Sequence, residues 1–324
     1  MPCFSLDRLA DANTIVRHFL PPTPAYAWPL LARCTGSQVF VKHENHTPTG
    51  AFKIRGGLVY FGALARVGLL PKGVVTATRG NHGQSVAAAA SRYAIPSVIV
   101  VPVGNSPEKN TAMVAFGAEL VIAGADFDES RGVAAKIAEE RGYSFVPSFH
   151  PDLVRGVATY ALELFTEVPD LAAVYVPIGM GSGICGTITV RDLLGLRTEI
   201  IGVAAENAPA IALSFEAGHA VSTASARTFA DGMACRVPDP EAVSIIASGA
   251  ARILRLSEDE IAESVRIYYT DTHNLAEGAG AAALAGLMRE RERYGGKRVA
   301  VICSGGNIDA PVFAQILAGH TPAA

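Results

Sequence analysis

Along the chain, short β-branched and apolar runs alternate with longer alanine-rich stretches whose apolar positions recur at helical spacing. "SQVFVKH" (37–43) leads to a helix that opens after Pro48, "GVVTAT" (73–78) to "HGQSVAAAASRYA", and "SVIVVP" (97–102) to "PEKNTAMVAFG". The alternation continues with "AELVIAG" before "FDESRGVAAKIAEERG", "AAVYVPIG" before "GICGTITVRDLL", and "EIIGVAAE" before "APAIALSFEAG". Strands that are apolar throughout, each followed by a helix, predict βαβ units. The expected fold class is therefore α/β, with open, twisted, mostly parallel sheets flanked by helices. Four compact strand–helix units fall within 67–150 and can close a sheet of their own. The pattern predicts a large domain from 1–66 and 151–324, a small domain from 67–150, and a ligand cleft between them.

Composition narrows the partners. With 324 residues, 50% hydrophobic and 18% charged, the chain can bury a large core, and its net charge of −3 provides no basic field for nucleic acid or anionic lipid. A small molecule is the expected partner. The five cysteines (Cys3, Cys34, Cys185, Cys235, Cys303) are widely spaced, with no CxxC pair, and read as reduced, mostly buried thiols of a cytoplasmic protein. The N-terminal "MPCFSLDRLADANTIVRHF" lacks the apolar core of a signal peptide. Residues 171–190 are twenty in a row without charge, but their four glycines and one proline favour strand, loop and helix start over a membrane span.

Four stretches can carry chemistry. In "TGAFKIRGG" (49–57), a turn precedes Lys53, and a helix opening from Ala51 places that lysine in its first turn, where the helix dipole disfavours a cation. If Lys53 is also buried, its amine becomes nucleophilic enough for a Schiff base; otherwise it is a solvated charge beside Phe52. In "TRGNHGQS" (78–85), Gly80 lets the chain turn tightly, Thr78 or Asn81 can cap the helix, and free N–H groups with Arg79 form a carboxylate site. In "PIGMGSGICG" (177–186), Gly179, Gly181, Gly183 and Gly186 surround Ser182 as a backbone cradle for phosphate. Gly181, Gly183 and Gly186 also match GxGxxG, with Glu206 twenty residues further on, so a dinucleotide fits that window alone. In "SGGNID" (304–309), Ser304 ends an apolar strand beside glycines and suits one ring heteroatom. "FADGMA" (229–234) and "HNLAEGAGAAALAG" (273–286) are weaker candidates that add the carboxylates Asp231 and Glu277. "HENH" (43–46) lacks the i,i+4 helical spacing of a zinc pair.

Taken in this order, the stretches resemble the fold-type II pyridoxal-phosphate enzymes, specifically the threonine dehydratase and serine racemase family, over roughly residues 20–318. The resemblance implies pyridoxal 5'-phosphate as cofactor. Lys53 of Ala51-Phe52-Lys53-Ile54-Arg55-Gly56 is then the lysine in internal aldimine linkage, with Phe52 packed on the cofactor. By the same likeness Asn81 of Thr78-Arg79-Gly80-Asn81-His82 meets the pyridine O3′, and the loop around it takes the substrate carboxylate. Gly179-Met180-Gly181-Ser182-Gly183 holds the phosphate, Ser304 meets the pyridine nitrogen, and Gly232 and Glu277 lie near the ring. Arg131 of "DESRG" and Arg155 are further candidates for a substrate carboxylate. A homodimer acting on a small amino acid, without nucleic acid or membrane, completes the implied picture. The dinucleotide alternative leaves Lys53, Asn81 and Ser304 without roles.

The chain also departs from the family. Ala51 stands where a serine is usual, Met180 and Ser182 interrupt the tetraglycine loop, and Arg79 occupies the place of the serine that racemases use as second acid/base. Stereoinversion then lacks its proton donor on the second face. The family's divalent-cation pair, a glutamate with an aspartate six residues later, is here Glu206 and Ala212, and no metal is expected. The chain stops at 324, soon after "SGGNID", so a C-terminal regulatory domain is not expected. The implied activity is elimination of water from a β-hydroxy amino acid of the threonine/serine, phenylserine or 3-hydroxyaspartate type, giving a 2-oxo acid and ammonia. β-Replacement and racemization are the alternatives.

Overall fold

A computed structural model describes residues 3–323. Ten strands form two sheets: β1 (Ala25–Ala27), β2 (Gln38–His43), β3 (Val74–Ala77), β4 (Ser97–Val101), β5 (Glu119–Ile122), β6 (Ser144–Phe145), β7 (Ala173–Pro177), β8 (Glu199–Ala205), β9 (Arg252–Leu256) and β10 (Arg298–Cys303). The larger sheet has the order β1-β2-β10-β7-β8-β9 and the smaller one β5-β4-β3-β6. All pairings are parallel except β1–β2. The expected α/β class is what the chain adopts. Neither β1 nor β9 stood out in the sequence, because β1 is three residues long and β9, "RILRL", carries two arginines at a sheet edge.

Side chains alternate across the larger sheet. Tyr175, Val203 and Val301 pack with Ala281, Ala282 and Leu284 of the helix Gly278–Arg289 on one face. Val174, Val176, Ile200 and Ala300 pack with Val157 and Ala161 of the helix Pro151–Glu167 and Ile188 of the helix Ser182–Leu193 on the other. Burial on both faces is why these strands read as unbroken apolar runs. The uncharged run 171–190 becomes β7, a turn and the first turns of a helix. Among the described residues, no helix is long and apolar enough to cross a membrane.

The helix Lys53–Arg66 joins the two sheets. Its Ile54, Leu58, Val59 and Phe61 pack with Val74, Val86 and Ile99 around the smaller sheet, while its start is tied to the end of β10. Phe52 N donates to Ser304 O (3.1 Å), and Ala51 bridges antiparallel to Gly305. This tether holds Ala51 against the sheet, so the helix begins at Lys53 and not at Ala51, with Phe52 (φ −60°, ψ −21°) as its N-cap.

Below Lys53, on the buried side of the same helix, Arg55 is fully enclosed. Its guanidinium forms paired contacts with Glu44 (Nε–Oε2 2.7 Å, NH2–Oε1 3.0 Å) and with Glu163 (NH1–Oε1 2.5 Å, NH2–Oε2 3.0 Å). Lys42, also fully buried, adds a contact to Glu163 (2.6 Å). Two buried cations thus meet two buried carboxylates, the partly exposed Arg17 adds a further contact to Glu163 (2.9 Å), and the cluster pins the helix start to β2 and to the helix Pro151–Glu167.

Candidate active site

Parallel strands point their C-terminal ends the same way, and the loops leaving those ends converge. The turn after β2 brings Phe52 and Lys53, the turn after β3 brings Thr78 to His82, the turn after β7 brings Gly179 to Gly183, and the end of β10 brings Ser304. With Gly232 and Glu277 they line one cleft. Lys109, Asp231, Phe127 and Ser148 line it as well.

Lys53 is a buried amine in this cleft. Burial brings its ammonium pKa down from the usual lysine range to about 8, its Nζ lies 3.3 Å from Ser182 Oγ, and the Phe52 ring sits 4.9 Å away. A desolvated amine beside a hydroxyl is a nucleophile for an aldehyde. The other side of Lys53 is fixed, since its backbone carbonyl accepts a 2.6 Å hydrogen bond from Ser85 Oγ.

The glycine turn is a cradle. Gly181 caps the helix Ser182–Leu193 with φ 98° and no side-chain cap, so the first N–H groups of that helix remain for a ligand. Gly179 must be glycine, because a Cβ there would meet Gly232 O at 2.1 Å. Met180 keeps its side chain against Cys235 (Sγ–Sδ 3.5 Å). Thr78 Oγ1 accepts from Gly80 N (2.9 Å) and Gly83 N (3.2 Å), so it occupies one N–H in the first turn of the helix Asn81–Arg92, whose N-cap is Gly80. His82 is held neutral: burial and the charge of Lys53 push its pKa down to about 3, with Nε2 3.1 Å from Thr76 Oγ1.

Two predicted carboxylate-binding residues stand elsewhere. Arg131 is exposed and lines a neighbouring hollow with Phe145, Phe149 and Val237. The helix Phe127–Arg141 turns Ser130, Ala134 and Ala138 inward, so its neighbour Arg131 points about 100° around from that stripe. Arg155 is buried in an ion pair with Asp152 (2.8 Å) outside the cleft. Arg79 does line the cleft, with its side chain 43% exposed and only a long contact to Asp231 (Nε–Oδ1 3.6 Å). Glu206 of the GxGxxG alternative is exposed and not among the cleft residues.

Lys109 was not visible as a site residue in the sequence. "PEKNTAMVAFG" reads as a surface helix, yet Lys109 is buried with Nζ 3.3 Å from Asp231 and 3.5 Å from Glu277. Burial lowers its pKa, but the two carboxylates more than offset this and hold it above the ordinary lysine value. For Glu277, burial raises the pKa, with Lys109 and Asn81 opposing.

A buried amine, a glycine turn with an open helix start, a strand-end hydroxyl and an asparagine thus line one cleft. The family described as pyridoxal-phosphate dependent enzyme matches residues 16–305. The chain belongs to that family. Among its members, the L-threonine ammonia-lyase of Thermotoga maritima is 32% identical over 314 residues, which cover 97% of this chain and 78% of that one. The L-threo-3-hydroxyaspartate ammonia-lyase of a Pseudomonas species is 32% identical over 304 residues, 93% and 94% of the two chains. The processed threonine deaminase isoform 2 of Solanum lycopersicum superposes with a TM-score of 0.88 at 28% identity, covering 98% of this chain and 96% of that one. The residues present fit the family's cofactor: the uncapped helix start at Ser182 suits a phosphate, and Lys53 stands within reach of the same pocket.

Proposed function

We propose that this pyridoxal-phosphate dependent enzyme is a lyase that removes water from a β-hydroxy amino acid and delivers a 2-oxo acid and ammonia. The carrying observation is the buried amine of Lys53, which sits 3.3 Å from Ser182 at the open helix start in the same cleft. When bound, the cofactor supplies an aldehyde for covalent anchoring and a ring that takes up electron density. Lys53 would be that anchor and, once displaced by the substrate amine, the base that takes the α-proton at Nζ. The helix start at Ser182, with Gly179, Met180, Gly181 and Gly183, would hold the phosphate, and Phe52, Asn81, Gly232, Glu277 and Ser304 would surround the ring. The turn Thr78 to His82 would bind the substrate carboxylate, with Thr78 holding the turn through its hydrogen bonds to Gly80 N and Gly83 N. With its pKa held down at about 3 by burial and the charge of Lys53, His82 is neutral near pH 7.

Arg79 supports two finer readings. A guanidinium does not give up its proton at neutral pH, so it cannot replace the racemase serine as second acid/base, and elimination is favoured over stereoinversion. Its long contact to Asp231 leaves donors for a second substrate carboxylate, as in a 3-hydroxyaspartate. The same reading assigns 1–66 and 151–324 to a cofactor-holding domain and 67–150 to a covering domain, in a cytoplasmic homodimer.

The test is a panel of threonine, serine, phenylserine and 3-hydroxyaspartate, each stereoisomer separate, assayed for oxo acid and ammonia with and without added thiol. Oxo acid insensitive to thiol supports the lyase; diversion of product by thiol supports a β-replacement synthase. Interconversion of isomers without ammonia would overturn the assignment. Arg79→Ala should lower kcat/KM for 3-hydroxyaspartate at least tenfold more than for threonine, and equal losses would remove Arg79 from side-chain recognition.

A further inference from the structure

The cleft residue Asn81 is held by a chain of hydrogen bonds whose polarity can be deduced. It starts at Thr49 O, in the loop that leads to Lys53, and a carbonyl can only accept. Asn307 therefore presents its Nδ2 to Thr49 O (2.8 Å), and the second hydrogen of the same nitrogen goes to Asn81 at 2.8 Å. That fixes the facing atom of Asn81 as Oδ1. Asn81 Nδ2 then donates to Glu277 Oε1 (2.5 Å), and Lys109 Nζ lies 3.5 Å from Glu277 Oε2. Asp231 closes the far end, 3.3 Å from Lys109, and Cys303 and Arg79 are the other titratable groups facing Glu277 and Asp231. Asn307 itself is wedged by backbone, since Gly50, at φ 65°, leaves no room for a Cβ, which would meet Asn307 Oδ1 at 2.4 Å.

We propose that Lys109 and Asn307, on opposite sides of Asn81 in this chain, are positioning residues that lock the Asn81 amide so that the cleft is offered an N–H and never a carbonyl. One hydrogen of Asn81 Nδ2 is spent on Glu277 and one remains for a ligand. A ligand oxygen there is stabilised in its ionised form, because an N–H donor favours the charged state. For a pyridoxal cofactor this oxygen is the ring phenolate, so the inference rests on the cofactor reading above. Lys109 contributes by keeping Glu277 an acceptor: without that cation, a carboxyl this deeply buried takes up a proton and becomes a competing donor. Four segments distant in sequence, around 49, 109, 277 and 307, are thereby read out by one amide.

Asn307→Asp is the sharp test, because it is nearly isosteric and replaces the donor with an acceptor, which turns the Asn81 amide around. The variant loaded with pyridoxal phosphate should lose at least half of the long-wavelength absorbance that reports the ionised ring oxygen, with its melting temperature within a few degrees of the wild type. Lys109→Met should give the same spectral loss from the other end, Lys109→Arg should restore it, and the double variant Asn307→Asp/Lys109→Met should be no worse than the stronger single one. Unchanged spectra in both single variants, or losses that add, would overturn the proposal. A wild type that shows no cofactor absorbance when loaded would instead overturn the cofactor reading itself.

Discussion

Replacing Arg55 with methionine separates what the core holds from what the cleft does. The side chain has no exposed surface and makes four contacts of 2.5–3.0 Å to two carboxylates, Glu44 and Glu163, that are themselves almost fully buried. Methionine fills a similar volume but leaves Glu163 with Lys42 and the partly exposed Arg17, and removes the ion-pair partner of the buried Glu44. Breaking a buried pair in this way costs about 3–5 kcal/mol, a large part of the roughly 5–15 kcal/mol that holds a typical protein folded. The expected fall in melting temperature at pH 7, followed by circular dichroism, is on the order of 6–10 °C. Arg55→Lys keeps the charge but not the fork, and should lose about half as much.

The loss also depends on pH. Burial raises the Glu163 carboxyl pKa, but Arg55 and Lys42 more than offset this and hold it below the ordinary value. Stability from a depressed carboxyl pKa is present above the unfolded pKa of about 4.3 and is lost as pH falls through the folded pKa. The gap between wild type and Arg55→Met should therefore narrow below about pH 4. Residues two apart on a helix do not share a face, so Lys53 should bind cofactor in the variant at temperatures well below melting. A drop of less than about 1 kcal/mol, or a gap that widens on acidification, would refute the reasoning.

Two shorter predictions concern the cleft. In enzyme stripped of cofactor, modification of Lys53 by an amine-reactive reagent, followed by peptide mass spectrometry, should show a pH midpoint near 8; a midpoint near 10.5 would mean that the amine is solvated. Gly179→Ala places a methyl against Gly232 O, so cofactor affinity measured by fluorescence titration should fall at least tenfold, and wild-type affinity would show that the cradle lies elsewhere.

Local pattern carried much of the fold and part of the site. Strands such as "SVIVVP" are buried on both faces, and that burial is written in their composition. The glycine turns announce themselves because only glycine tolerates the close approach at Gly179 or the φ of Gly181. Lys109 and Arg131 could not be separated in the same way. Both are cations on helices with charged neighbours, and only the docking of each helix decides that Lys109 meets Asp231, 122 positions away, while Arg131 meets solvent. The partners of Arg55 were hidden for the same reason, since Glu163 lies 108 residues further along.

The position of β10 in the larger sheet sets an order of assembly. It is the last strand in sequence, yet it lies between β2 and β7, so β2 has no parallel neighbour until the final segment arrives. The smaller sheet, built wholly from residues 74–145, has every partner present much earlier on a growing chain. Synthesis from the N-terminus should therefore produce a formed β3–β6 unit beside an unsealed larger sheet. Lys53 and Ser304 meet only when β10 inserts, which makes competence to take up cofactor a late event, coupled to completion of the sheet.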